Sequence, residues 1–433
     1  MTKPVNKINV ITLGCSKNLV DSEVLLKQLY VGNFIVEHDS EKTDAQTVII
    51  NTCGFIRDAK EESIETILRF ARAREKGEIR NLYVIGCLSE RYKEELKNEI
   101  PDVDRYFGVN NIEQIVTSLG IEYRKELLGE RKLVTPGHYA YLKIAEGCDR
   151  KCAFCSIPLI RGKHKSRTIE SLVNEAVLLV SQGVKELILI SQDLSYYGLD
   201  IYNRQRLGDL ISRLSEVRGV EWIRLHYLFP ANFPADILPV IRDKENICSY
   251  LDIPFQHIAD NVLKIMRRGI SGKESYDLIN MVRKEVPGIT LRTTLLTGHP
   301  GESEKNFAEL KEFVSDVRFD RLGIFPYSHE EGTYSFKNYR DEIPEMIKMQ
   351  RAEEIMTIQE SISNKLNKKK IGNEYKVIID RKEEDYFVGR TESDSPEVDQ
   401  EVLIEPAPGL ITGEFCNVII TGYDNFDLYG KSH

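Results

Sequence analysis

The chain's 433 residues, 41% hydrophobic and 29% charged with no low-complexity tract, suggest two to four domains with cores of their own. No apolar run approaches the roughly 18 residues that a membrane span requires, and eight cysteines without a secretion signal point to metal binding or catalysis in the cytoplasm rather than to disulfides. The net charge of −9 resides in the tail: residues 374–431 carry 14 acidic and 5 basic side chains, which leaves the rest of the chain neutral.

Thr12-Leu13-Gly14-Cys15 faintly resembles a lipoprotein cleavage site, but the apolar stretch 8–13 is too short for a signal core and Asn9 interrupts it. Cys15 reads instead as a strand-end residue. Apolar runs at 8–13, 47–51 and 82–86 alternate with helical spacing over 19–30, 57–74 and 90–98, where Ile64, Ile67, Leu68 and Ala71 share a face. This alternation predicts a parallel sheet wrapped by helices, a first domain over residues 1–131. Residues 132–138 read as a linker.

Over 139–372 the alternation resumes, with strands at 141–145, 187–191, 222–226, 250–253, 290–296 and 321–325 and helices such as 169–182 and 303–315. Six β/α repeats are fewer than the eight of a closed TIM barrel, which predicts a partial, open (β/α)6 barrel. A long helix follows Pro344, with Ile347, Ala352, Ile355, Ile362 and Leu366 on one face. It ends in Lys368-Lys369-Lys370 before Gly372; those lysines suit a helix C-terminus under a glycine cap, with nucleic-acid binding as the alternative. Residues 373–433 change character, to short strands at 375–380, 386–390, 401–404 and 417–421, a small all-β barrel. The expected fold class is therefore α/β: a parallel-sheet domain, a partial barrel and an all-β module.

The strongest chemical signal follows the first barrel strand, in Glu146-Gly147-Cys148-Asp149-Arg150-Lys151-Cys152-Ala153-Phe154-Cys155. Three thiolates so spaced can wrap one face of a [4Fe–4S] cubane, and because full ligation takes four, one iron stays open to a bidentate small ligand. The competing reading is a zinc site with a distant fourth ligand such as His164, although structural zinc usually comes in paired CxxC knuckles. Cys148, Cys152 and Cys155, with the aromatic Phe154 before the last, resemble the cluster motif of the radical S-adenosylmethionine (SAM) superfamily. That resemblance implies a SAM molecule chelating the open iron.

A second constellation is spread along the first domain. Cys15, Cys53 and Cys87 each follow a predicted parallel strand and each has a neighbouring glycine (Gly14, Gly54, Gly86). Strand C-termini of an open α/β sheet share the edge where ligands bind, so these cysteines can meet in space. The plain alternative is three buried core cysteines. With this trio the chain resembles the methylthiotransferase family along essentially its whole length: an N-terminal domain with a three-cysteine auxiliary cluster, a radical-SAM barrel and a C-terminal TRAM module. The resemblance implies two [4Fe–4S] clusters, SAM as both methyl donor and radical source, and an external electron donor and sulfur donor.

Within the family, the segment from Leu13-Gly14-Cys15-Ser16-Lys17-Asn18 to Glu23, the pair Gln192-Asp193, and Asp427-Leu428-Tyr429-Gly430 look like the branch that modifies an aspartate of the decoding-centre protein of the small ribosomal subunit. The tRNA-modifying branch typically has Gln-Met-Asn after the first cysteine and Gln-Asn at the second site. The acidic tail argues the same way. Gripping tRNA needs cations, whereas carboxylates such as Asp394, Glu397 and Asp399 suit docking of a basic ribosomal protein, or serve solubility alone. Neither tRNA nor a membrane is an expected partner; a tRNA adenosine methylthiotransferase and a non-catalytic cluster carrier are the alternatives.

The remaining candidates line the predicted barrel. Arg161 and Arg167 could hold the SAM carboxylate or the substrate aspartate, with surface ion pairing as the alternative. Gln192 and Asp193 end the second strand, on the face where barrel chemistry is found. Gly298 and Gly301 flank His299, a structural rather than catalytic histidine, and would allow close backbone approach to the nucleoside. Pro254-Phe255-Gln256-His257 ends the fourth strand, and Cys248 and Cys416 read as core.

Overall fold

In the computed structural model, which describes residues 6–41, 44–127 and 129–432, the first domain is a five-stranded parallel sheet. Its strands are β1 (Lys7–Thr12), β2 (Ile35–His38), β3 (Thr47–Thr52), β4 (Asn81–Gly86) and β5 (Arg105–Tyr106), in the order β2-β1-β3-β4-β5. Alternate residues serve opposite layers. Ile8, Val10 and Ile49 pack on Leu25, Leu26 and Ile115 on one side, and Val48 and Ile50 on Ile67, Phe70 and Leu88 on the other. The sheet is thus wound in both directions from β1 and β3, and the crevice between their C-terminal ends is the switch point where such folds bind ligands. Strands β2 and β5 are additions to the expectation: both are short edge strands, too brief to leave an apolar run.

The second unit begins with β6 (Tyr139–Lys143), then a two-stranded ribbon of β7 (Ala145–Glu146) and β8 (Lys165–Ser166). Five further parallel strands follow: β9 (Glu186–Ile190), β10 (Trp222–Leu225), β11 (Ile247–Asp252), β12 (Thr290–Thr297) and β13 (Arg321–Pro326). They form an arc in the order β13-β12-β11-β10-β9-β6, and β6 and β13 are its two free edges. Its outer face, with Leu187, Leu189, Ile223, Leu251 and Leu291, packs on the surrounding helices in the largest core of the molecule. No helix among the described residues is long and apolar enough to cross a membrane.

A closed TIM barrel fills its interior with layers of its own side chains; an open arc must be filled from elsewhere. Here the filler is the C-terminal barrel, made of β14 (Glu374–Lys382), β15 (Phe387–Thr391), β16 (Val402–Ile404), β17 (Phe415–Tyr423) and β18 (Leu428–Ser432) and closed in the order β14-β15-β16-β18-β17. Residues 392–400, between β15 and β16, reach into the inner face of the arc. Asp394 Oδ1 accepts from Arg321 Nε at 2.9 Å, and Asp399 accepts from Tyr250 Oη at 2.8 Å and Arg292 Nε at 3.2 Å. Ser395 Oγ lies 2.8 Å from His226 Nε2.

This corrects the expectation that the tail's carboxylates form a free docking face. Asp394 is fully buried and the Asp399 side chain is 1% exposed, because the arc's inward-pointing arginines need counter-charges. Glu397 alone of the three faces solvent, accepting from Tyr139 Oη at 3.2 Å. The lysine run after Pro344 is likewise drawn inward at its end: Lys370 Nζ donates to Gln400 at 3.0 Å, and burial and the nearby Arg321 push it down to about 8. Asp394→Asn is expected to cost about 1–3 kcal/mol, since it removes the charge but keeps an acceptor beside Arg321. A lower unfolding midpoint with faster limited proteolysis near residue 372 is the outcome to check.

Candidate active site

Three loops leave the C-terminal edge of the first sheet side by side. Thr12 is in register with Asn51 on β3, and Thr52 with Gly86 on β4, so Cys15, Cys53 and Cys87 emerge at one level. The glycines are what let the loops stack. A Cβ at Gly14, whose φ is +91°, would stand 2.9 Å from Cys53 Sγ, and one at Gly54 would stand 2.6 Å from Leu88 Cα. Asn18 ties the loops together, donating from Nδ2 to Leu13 O at 2.8 Å and Thr52 O at 3.1 Å, with its Oδ1 3.6 Å from Cys87 Sγ.

The second triad sits on the loop after β7. Cys148 N donates to Gly162 O at 3.0 Å and Ala153 N to Met266 O at 2.9 Å, which pins the loop across the mouth of the arc. Arg268 Nη1 donates to Cys152 Sγ at 3.2 Å while its guanidinium stacks on Phe229, 4.2 Å from the ring centroid. Phe154 is an anchor, packed edge-on to His299 and against the cluster of Val262, Met266 and Leu296. Burial pushes the thiols of Cys87, Cys148 and Cys155 up to about 12 and raises that of Cys53. These four thiols stay protonated unless a metal displaces the proton, which makes them poor free nucleophiles and leaves them available to a metal that can displace it.

Among the described residues no group of three or more His, Cys, Asp or Glu side chains is close enough to hold a single metal ion. His164, the alternative zinc ligand, has its Nε2 3.0 Å from Ser166 Oγ. A cubane spreads its ligands by taking each cysteine on a different iron, and it accepts hydrogen bonds at sulfur of the kind Arg268 offers.

The first domain covers the mouth of the arc and touches both of its edges. On the β6 side, Arg161 donates to Asn18 Oδ1 at 2.6 Å, to both Glu146 oxygens at 2.9 Å and to Asp21 at 3.2 Å, and Lys143 bridges Asp21 and Glu146. Burial alone would push the Glu146 carboxyl up; Lys143 and Arg161 outweigh it and hold the group down at about 2. On the β13 side, Lys60 and Arg91 meet Glu330 at 2.9 and 2.7 Å, and Arg91 also donates to Gly54 O at 3.2 Å. Arg161 therefore joins the Asn18 that steadies Cys87 to the Glu146 that precedes Cys148 by two residues. The two triads border one interface.

Several candidates prove to have structural partners. Arg161 is spent on this bridge, and Arg167 pairs with Glu175 and Lys143 O rather than facing the mouth. Asp193 is taken by Arg150 at 2.6 Å and by Ser195 N, so it is closed to substrate. Gln192 Nε2 donates to Glu146 at 3.1 Å and leaves Oε1 buried without a partner. The space a Cβ would need at Gly298 is filled by Lys348 Cγ at 2.2 Å, and at Gly301 by Ile265 Cδ1 at 2.7 Å, so side chains of the protein itself make a close approach at both glycines. His299 is structural, lying between Pro300 O and Ser335 Oγ and pushed down to about 4 by burial. Arg268 and Tyr227 escaped the sequence reading, and Lys17 and Asn18 entered it only within the segment that carries the family resemblance. Arg268 had a faint signal in Arg267-Arg268-Gly269; the left-handed φ of +63° at Tyr227 had none.

A parallel six-stranded arc bearing Cys-x3-Cys-x2-Cys on the loop after its first strand defines a radical-SAM enzyme. The chain matches the family descriptions Uncharacterized protein family UPF0004 over residues 7–108, Radical SAM superfamily over 142–314 and TRAM domain over 371–432. The ribosomal protein uS12 methylthiotransferase RimO of Phocaeicola vulgatus is 56% identical over 427 residues, 98% of this chain and 99% of its own. Its namesake in Cytophaga hutchinsonii is 54% identical over 98% of this chain and 97% of its own. The chain belongs to the RimO family of radical-SAM methylthiotransferases. Among solved structures, the radical SAM methyltransferase TsrM of Kitasatospora setae aligns over 74% of this chain and 72% of its own, with a TM-score of 0.55 at 15% identity. The cobalamin-dependent SAM radical enzyme OxsB aligns over 82% and 56%, with a TM-score of 0.54 at 13% identity. These two share the fold.

Proposed function

We propose that the enzyme replaces a hydrogen on the β-carbon of an aspartate of ribosomal protein uS12 with a methylthio group. Cys148, Cys152 and Cys155 would hold the radical-SAM cluster, and Cys15, Cys53 and Cys87 an auxiliary one. When bound, these clusters and SAM supply a carbon radical strong enough to take hydrogen from an unactivated C–H, together with a sulfur to be methylated and transferred. The observation that carries the reading is the meeting of both triads at one interface, joined through Arg161, Glu146 and Asn18.

The chain's own part is placement and exclusion. Arg268 donates to Cys152 and fixes the loop, which favours a negatively charged cluster there. The Asp21–Lys143–Glu146–Arg161 network and the Glu330 contacts hold the first domain over the arc at both edges, which shields a radical from water. No base is needed for hydrogen abstraction, consistent with His299 being locked and neutral. The exposed turn at Glu383, Glu384 and Asp385 suits a basic protein partner. Electrons and sulfur would come from outside the chain, in the cytoplasm where ribosomes are made.

The test is anaerobic reconstitution with SAM, a reductant and a sulfur source, offered purified uS12 and, separately, tRNA. One uS12 aspartate should gain the mass of a methylthio group in place of hydrogen, and tRNA nucleosides should not change. Methylthioadenosine in tRNA with unmodified uS12 would overturn the reading, and 5′-deoxyadenosine absent from every reaction would point to a carrier.

A further inference from the structure

We infer that Lys17 receives the carboxylate of the aspartate being modified, an assignment that rests on the function proposed above. Lys17 stands in the first turn of helix Ser16–Val31, two residues after Cys15, and is 8% exposed. Its Nζ lies 3.4 Å from the centroid of the Tyr227 ring. Among the described residues it has no carboxylate within ion-pair distance and no hydrogen-bond acceptor.

The neighbouring cations are all engaged. Lys143 and Arg161 share Asp21 and Glu146, Arg150 takes Asp193, Lys60 and Arg91 share Glu330, and Arg268 donates to Pro254 O and Cys152. Most of the Lys17 side chain is buried while its ammonium keeps a path to solvent, so it is a cation with no anion of the chain's own, resting on a ring face that contributes only about 0.5–2 kcal/mol. An interface that engages these six cations and leaves Lys17 on a ring has room for an anion carried in by the substrate.

The ring is held to that purpose. Tyr227 follows β10 with φ +63°, a conformation rare for an aromatic residue, and is fixed by Tyr227 N donating to Asp252 Oδ2 at 3.2 Å and Leu194 N donating to Tyr227 O at 3.1 Å. Open N–H groups in the first turn of the same 16-residue helix add to the pull on an anion. An aspartate's β-carbon is bonded directly to its carboxylate carbon. A carboxylate held at Lys17 therefore brings the reacting C–H to the Cys15 side of the interface, and asparagine, equal in shape but uncharged, would not be held.

The experiment uses enzyme carrying both clusters. Binding in the presence of SAM is measured for uS12 with its native target aspartate and with asparagine in that place, and methylthiolation is followed on the native form. Wild-type enzyme should prefer the aspartate form by roughly 10- to 100-fold, the range of one charge-assisted hydrogen bond. In Lys17→Met that preference should collapse, through weaker binding of the aspartate form alone; Lys17→Arg should keep part of it. Iron content and SAM affinity of each variant report whether clusters and fold survive. An undiminished aspartate preference in Lys17→Met overturns the inference, as would a loss confined to SAM affinity. Wild-type enzyme that neither binds nor modifies uS12 overturns the proposed function instead.

Discussion

Alanine at Cys148, Cys152 and Cys155 together should abolish 5′-deoxyadenosine formation and lower bound iron from about eight to about four per chain. Alanine at Cys15, Cys53 and Cys87 should lower iron equally but leave reductive SAM cleavage in place, with no methylthiolated product. The difference follows from where the triads sit. The barrel loop is pinned by Gly162 O, Met266 O and Arg268, none of which belongs to the first domain, so it should hold its cluster without the other. The strand-end triad is organised by Asn18, Ser63 and the stacked glycines of its own sheet. Iron analysis, electron paramagnetic resonance and chromatography of the nucleoside products on both triple variants give the result. 5′-Deoxyadenosine from the first variant, or methylthiolated product from the second, would break the assignment of that triad.

The two cysteine triads carry different kinds of signal in the sequence. Cys148, Cys152 and Cys155 are local, and spacing suffices. Cys15, Cys53 and Cys87 are up to 72 residues apart, yet each ends a buried parallel strand, and parallel neighbours in register bring their ends to one edge whatever the intervening length. The strands themselves were readable because strands buried on both faces appear as unbroken apolar runs, as in β3, where all six residues are buried. β2, β5 and β18 lack such runs. β2 is a half-exposed edge strand, β5 has two residues, and β18 reads Leu-Tyr-Gly-Lys-Ser with a glycine in the middle.

What remained hidden was partnership between charges. Asp394 and Asp399 look in the sequence like two more acids of a solvated tail, because nothing local announces that Arg321 and Arg292 point into the same space from strands more than 70 residues away. Arg161 and Asp193 likewise read as substrate contacts, Arg161 with ion pairing as its alternative, because their partners Asp21 and Arg150 lie far from them in the chain. Gly298 signalled close approach correctly but not to what: the visitor is the side chain of Lys348 on the long C-terminal helix. A lysine with no partner, such as Lys17, is the hardest to see, since its meaning lies in what every neighbour already holds.

Loss of the Glu186 carboxylate should be the most destabilising single change in the chain. Glu186 begins β9 and is wholly buried, with Oε1 2.8 Å from Arg224 Nε and Oε2 2.7 Å from Arg390 Nη2 of the C-terminal barrel. Arg224 is itself fully buried and Arg390 nearly so; Arg390 also binds Asp380, which takes His138 Nε2 at 2.7 Å. Glu186→Gln keeps the shape but leaves Arg390 with Asp380 and strands the Arg224 guanidinium with no carboxylate, a loss of about 3–5 kcal/mol by analogy with other broken buried pairs. Adding Arg224→Met should recover part of it, because the stranded charge goes too. The pH dependence has a definite sign. Burial would raise the Glu186 carboxyl, but Arg390 and Arg224 outweigh it and hold it below its ordinary value. The contribution is therefore complete above the unfolded value of about 4.3 and drains away as pH falls through the lower folded one. Wild-type and Glu186→Gln unfolding midpoints in urea should differ most near neutrality and converge below about pH 4. A constant gap across that range would mean that shape, and not charge, is what Glu186 contributes to the joint between the arc and the barrel that fills it.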